Sequence, residues 1–216
     1  MPTPVVVQAQ QSDAELLASL IYASAAENLN SVFSGHKDDL TTAQRTKISV
    51  AYLRQALQSA DGQFGYQNQY VIRHGSDLSA CVSFWVNPMP DSFKQATLTS
   101  LLNFFSGLDC ALILRNSQHL AQLVQTPDDQ SLSVGHLAVG AKYRRQGHSK
   151  ALLDFCEQQA RSLGKTRLIL DLNATNDAAL KSYQSFGFKP INTVSPTDEG
   201  IALGLSAHIH MCKSLR

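Results

Sequence analysis

The residues best suited to chemistry form one run, Leu137-Ala138-Val139-Gly140-Ala141-Lys142-Tyr143-Arg144-Arg145-Gln146-Gly147-His148-Ser149-Lys150-Ala151-Leu152-Leu153. A short apolar stretch stops at Gly140, a basic turn follows, and Gly147 opens a helical pattern. Parts in that order build a pocket for a phosphate-bearing ligand. The first N–H groups of a helix point outward unpaired, and the helix dipole adds partial positive charge to them. Gly147 has no side chain to hold a ligand off the main chain. Lys142, Arg144 and Arg145 place formal positive charge beside it. Taken alone, the two arginines also suit a plain solvated turn.

A second run is Asn176-Asp177-Ala178-Ala179-Leu180-Lys181-Ser182-Tyr183-Gln184-Ser185-Phe186-Gly187-Phe188. Asn176 and Tyr183 stand seven positions apart, two helical turns, so both can face one ligand. Gly187 suits a helix stop, and Phe188 returns the chain to the core as a strand. The bland alternatives are a helix cap for Asn176 and core packing for Tyr183, which shares its spacing with Leu180 and Phe186.

These runs need a sheet and helices to hold them. Val5 to Val7 reads as a short strand, and Ser12-Asp13-Ala14-Glu15 as a capping-box start to a helix carrying Leu17, Leu20, Ile21 and Leu29. Residues 30–42 read as a loop, and 43–59 as a second helix ended by Asp61-Gly62. Tyr70 to Arg73, a His74-Gly75-Ser76-Asp77 turn and Ser79 to Val86 form a hairpin. Residues 91–126 read as helical with a break near Gly107. Strand 131–139, helix 148–163, strand 167–172, helix 177–186, strand 188–194 and a final strand 201–212 follow. Hairpins at both ends around one strand–helix–strand unit describe an α+β sheet rather than a doubly wound one.

Composition narrows the classes further. The chain has 216 residues, 44% of them apolar and 16% charged, which suits an ordinary folded protein. A net charge of +1 argues against a general nucleic-acid or acidic-membrane binder. Cys81, Cys110, Cys156 and Cys212 are scattered and read as reduced core thiols, which fits a cytoplasmic location. The N-terminus lacks the pattern of a signal peptide, and no window reaches the length of a membrane span. His208 and His210 share one strand face without an evident third ligand, so partly exposed strand histidines are expected and no metal site.

Arg144-x-x-Gly147-x-Ser149 after an apolar strand resembles the acyl-CoA-binding motif of the GNAT N-acetyltransferase superfamily, whose usual form is Gln/Arg-x-x-Gly-x-Gly/Ala. The run from Asn176 through Ala179 and Tyr183 to Gly187-Phe188 resembles a second signature of the same family. Together they cover about 131–190, and Ser149 departs from the usual small residue. The resemblance implies one domain over 1–216, with a mixed, mostly antiparallel sheet splayed at its middle and a helical insertion at about 88–130.

It also implies acetyl transfer from acetyl-CoA to a primary amine by direct attack, the acceptor being a small molecule or a peptide. A non-catalytic acyl-CoA sensor or scaffold is the alternative. Leu137, Ala138 and Val139 would pair with the pantetheine arm. Arg144, Arg145, Gln146, Gly147, His148, Ser149 and Lys150 would hold the pyrophosphate, while Asn176, Ala179 and Tyr183 would line the cleft. Tyr183 stands at the family's general-acid position. Ser133 stands where many members carry a basic Glu, which leaves His136 as base if a bulge re-aims it, with His36, Asp38 or a water chain as alternatives. The sheet edge or the insertion is a candidate homodimer contact.

Overall fold

A computed structural model describes residues 4–34 and 40–215. Seven strands form one sheet in the order β1-β2-β3-β4-β5-β7-β6. These are β1 (Val6–Gln8), β2 (Gln69–His74), β3 (Asp77–Val86), β4 (Ser131–Val139), β5 (Arg167–Asn173), β6 (Lys189–Val194) and β7 (His208–Ser214). Every neighbouring pair is antiparallel except β4 and β5.

That one parallel pair governs the site. It is in register only over Ser131–Ser133 and Arg167–Ile169. Beyond Ser133, β4 pairs with β3 alone, and beyond Ile169, β5 pairs with β7 alone. The sheet therefore opens at its middle, as the family resemblance implied.

Two apolar clusters fill the two faces. Helices α1 (Ala14–Ser24), α2 (Ala26–Phe33) and α3 (Thr42–Ala56) cover one face through Leu17, Ile21, Val32, Phe33 and Leu53, in one cluster with Val71 and Cys81. Between β3 and β4 the chain adds α4 (Asp91–Phe104) and α5 (Gly107–Ala121), the helical segment expected at 91–126. Both helices join the same cluster through Leu101, Cys110 and Ile113.

The other face is packed by α6 (His148–Ser162), the crossover from β4 to β5. Its buried Ala151, Leu152, Cys156 and Ala160 recur at helical spacing and meet Leu132, Val134, Leu168 and Leu170. Beside it runs α7 (Asp177–Ser185), ended at Gly187 with φ 100°. A short α8 (Asp198–Ala202) precedes β7.

Four local expectations are corrected. Asp13, not Ser12, organises the first helix entry: its carboxylate accepts from Gln10 N at 2.7 Å and from both Arg73 terminal nitrogens at 2.8 and 2.7 Å. The first helical stripe is two helices, broken at Ala25 (φ −151°, ψ 38°). The second of them runs through Phe33, so 30–33 is helix rather than loop, while residues 35–39 lie outside the description. The final strand begins at His208, not 201, because Thr197 caps a helix by accepting from Gly200 N at 3.2 Å.

Candidate functional site

The loop between β4 and α6 supplies main-chain donors. Arg145 (φ 60°) and Gly147 (φ 82°) both have positive φ, the kind of backbone geometry from which main-chain anion nests are built. Among the described residues, the amides of 145–150 donate to no group of the chain; the first helical bond runs from Ala151 N to Gly147 O at 3.0 Å. A Cβ at Gly147 would meet nothing within 4 Å, so the concavity is open.

Side chains around the loop are divided in their roles. Arg144, Arg145, Gln146, Gly147 and Lys150 are exposed, Ser149 is half-buried and His148 is buried. Lys142 pairs with Asp77 at 2.6 Å and Lys150 with Asp154 at 2.7 Å, while Gln146 Nε2 donates to Lys142 O at 3.0 Å. Neither Arg144 nor Arg145 has a carboxylate partner among the described residues, so their charge is available to an anion. Burial and nearby His74 push the His148 imidazole down, and its Nδ1 is shielded without a partner.

The open edge of β4 continues this donor surface. Register shifts between Cys81 and Ser83, which pair with Ala138 and Gly135. The extra residue sits at His136 (φ 48°), so the bulge that had to re-aim this side chain is present. Its ring stacks on Phe64 at 5.0 Å and meets the Trp85 edge at 5.1 Å. Burial pushes its pKa down to about 4, and Nδ1 has no partner, so the imidazole is neutral at physiological pH. Ser133 is buried and lies opposite Trp85 and Ile169 in register.

Gly135 makes room for this stack. A Cβ there would fall 2.0 Å from Trp85 Cζ3 and 2.4 Å from Cη2. Gly135→Ala must therefore move the indole, an overpacking that costs about 1–3 kcal/mol. Thermal unfolding checks this: the melting temperature is expected to fall by roughly 3–10 °C. An unchanged value would mean that the indole yields freely.

Tyr183 is half-buried against the apolar cluster that α6 also packs into, with its ring 6.0 Å from Phe188. Desolvation, with a smaller contribution from Cys156, raises its pKa to about 12. Its hydroxyl makes no hydrogen bond among the described residues. Asn176 is exposed at the start of α7, where its Oδ1 accepts from Ala179 N at 3.1 Å; Ala179 packs against the same cluster as Tyr183. Both residues belong to the segment that directly follows β5, Asn176 at the start of α7 and Tyr183 within it. His36 and Asp38, the alternative bases, lie outside the described residues.

One polar group of residues was not singled out as a group from the sequence. On the face away from α6, Asp171 and Asn173 of β5 neighbour His208 and His210 of β7, with Glu27 and Asn28 of α2 above them. His208 is only 2% exposed, which corrects the expectation of partial exposure; its Nδ1 lies 3.0 Å from Ser206 O. The signal was the period-two alternation of polar residues in both strands, visible only once their pairing is known. Among the described residues, no group of three or more His, Cys, Asp or Glu is arranged to hold a metal ion. No helix among them is long and apolar enough to cross a membrane.

The fold and part of the sequence have counterparts among known proteins. The human protein N-acetyltransferase 8 is 41% identical over 61 residues, which span 28% of this chain and 27% of that protein. The fold is similar to that of an N-acetyltransferase from Staphylococcus aureus Mu50, with a TM-score of 0.63 at 17% identity over 96% of this chain and 99% of that one. It is also similar to a putative acetyltransferase from Salmonella typhimurium solved with its cofactor acetyl-CoA, with a TM-score of 0.52 at 15% identity over 100% and 95% of the two chains. Residues 69–188 match the model of the acetyltransferase (GNAT) family, more than half of the sequence, and the chain belongs to that family.

Proposed function

We propose that this protein is an N-acetyltransferase that moves an acetyl group from acetyl-CoA to a primary amine by direct attack, the whole chain acting as one catalytic unit. The carrying observation is the run of unpartnered amides at 145–150, which continues into the unpaired edge of β4. A pyrophosphate and an amide-bearing arm are the ligand groups that such a surface satisfies.

Acetyl-CoA would supply the activated acetyl thioester. The amides of 145–150, with Arg144, Arg145, Gln146, His148, Ser149 and Lys150 around them, hold its diphosphate, and the main chain of Leu137, Ala138 and Val139 holds its arm. Asn176 and Ala179 line the opposite wall. Tyr183 keeps its proton at neutral pH and has no internal acceptor for it, so it is the proton donor to the departing sulfur. His136 is neutral with a buried, unpartnered Nδ1, but a base this weak does not strip a free ammonium. It serves to take the proton from a nitrogen already made acidic by bonding to the acetyl carbon, so the acceptor reacts as its neutral amine.

A sensor or scaffold that binds acyl-CoA without turnover is the second reading, favoured by Ser133 at the place of the usual Glu. Two measurements separate them. At ~100 times its Kd, CoA is expected to add about 2.7 kcal/mol to native stability. No thermal shift with CoA or acetyl-CoA sinks both readings. Thiol release with a panel of primary amines is expected for the transferase alone.

A further inference from the structure

We infer that Gln69 and Ser83, through one buried water molecule, are positioning residues that hold His136 with its proton on Nδ1 and leave Nε2 as its basic nitrogen. This rests on the acetyl-transfer reading above, in which His136 receives the proton of the acylated amine.

Three polar atoms on one face of the sheet are shielded from solvent without a partner among the described residues: Gln69 Oε1, Ser83 Oγ and His136 Nδ1. Gln69 of β2 lies directly opposite Ser83 of β3, and Ser83 lies opposite Gly135 of β4, the residue before the bulged His136. Residues so paired have Cβ atoms about 4.5–5.5 Å apart. Strand alternation sets Gln69 and Ser83 on the same side as Val71 and Cys81, in the cluster that also holds Phe64. Both are 0% exposed. The turn before β2 covers them: Gln63 O accepts from Gln69 Nε2 at 3.2 Å, and the adjoining Phe64 ring stacks on His136 at 5.0 Å. Cys81 Sγ donates to His136 O at 3.2 Å and ties the bulge down.

Buried polar atoms are satisfied as a rule, and three orphans in one row need a common partner. A buried water makes about three hydrogen bonds, which matches their number. Gln69 Oε1 can only accept, Ser83 Oγ can donate or accept, and His136 Nδ1 does one or the other by tautomer. The base role decides between the tautomers. His136 Nε2 has no hydrogen bond among the described residues either, yet it is not shielded as Nδ1 is, so it is the nitrogen open to a substrate. To receive a proton there, the neutral ring must carry its own on Nδ1. Nδ1–H then donates to the water, and the water donates to Gln69 Oε1, with Ser83 Oγ as its third partner. The same bonds persist once Nε2 is protonated, so the imidazolium forms without an orphaned donor. Phe64 and Trp85 are uncharged, and burial alone moves the pKa of the ring, so no charged group sets its tautomer.

Long-range proton–nitrogen correlation spectra of the full chain read the tautomer directly, with His136→Gln to assign the ring. At neutral pH the parent is expected to show a protonated Nδ1 and a bare Nε2. Ser83→Ala and Gln69→Met are each expected to shift population to the Nε2–H form. Each should also lower turnover about three- to tenfold, the worth of one neutral hydrogen bond, with CoA affinity unchanged. Gln69→Met also loses the tie to Gln63, whereas Ser83→Ala breaks no hydrogen bond within the described chain and keeps the fold. An Nε2–H ring in the parent, or an Nδ1–H ring unchanged in both variants, overturns the inference. Thiol release is scored separately. The Nδ1–H ring, lost in the variants, without any release counts against acetyl transfer and leaves the arrangement standing; release by a parent with the Nε2–H ring overturns the arrangement alone.

Discussion

Gly147→Asp is expected to weaken CoA binding by about 100-fold or more, measured by calorimetry, while the protein stays folded. Nothing lies within 4 Å of a Cβ at this position, so the substitution does not collide with the chain. The residue must still take φ 82°, which costs a non-glycine about 1–2 kcal/mol. The larger effect is electrostatic. The new carboxylate would face the unpartnered amides of 145–150 and occupy the position from which a diphosphate is held. Like charges about 4 Å apart repel by about 4 kcal/mol at an effective dielectric of about 20. Exposure of the loop lowers that, and about 2.7 kcal/mol already corresponds to a 100-fold loss. Gly147→Ser separates the two causes: it carries the backbone strain without the charge and should weaken binding by only about tenfold. Equal affinity in Gly147→Asp and the parent would place the ligand elsewhere.

Tyr183→Phe is expected to cut turnover by about 10²–10⁴-fold, the usual worth of a positioned acid, with CoA affinity unchanged. The phenyl ring keeps the packing on Phe188, and no internal hydrogen bond is lost because the hydroxyl makes none. Stability should therefore hardly move, which separates a chemical role from a structural one. The pKa pushed up to about 12 fixes the pH behaviour of this residue. Its protonated form persists throughout the neutral range, so no loss of rate on its account is expected below about pH 10. Full activity in Tyr183→Phe would reduce the residue to a packing aromatic.

Much of this was written in local sequence. The spacing from Leu137 to Leu153 fixed both the strand and the helix, because a glycine at each boundary interrupts an apolar period that changes from two to helical. The bulge was different. His136 alternates correctly with its neighbours on paper, and only the pairing of β3 with β4 shows that two residues oppose one. Ala25, which breaks the first helix, has a good helical propensity; tertiary packing of α2 against α3 and α5 overrides it. The polar group around Glu27, Asp171 and His208 joins segments about 180 positions apart, so no local pattern could announce it. Local propensity thus carried the donor loop, and long-range pairing decided what faces it.

The glycine at position 135 has one further consequence. It seats the chain's single tryptophan against the bulge, edge-on to His136 and within reach of the opening between β4 and β5. Tryptophan fluorescence of this protein therefore reports from one place. A ligand that enters the opening changes the polarity around that indole, and protonation of the neighbouring imidazole in acid offers a quencher beside it. The molecule carries its own optical probe at the point where its two walls meet.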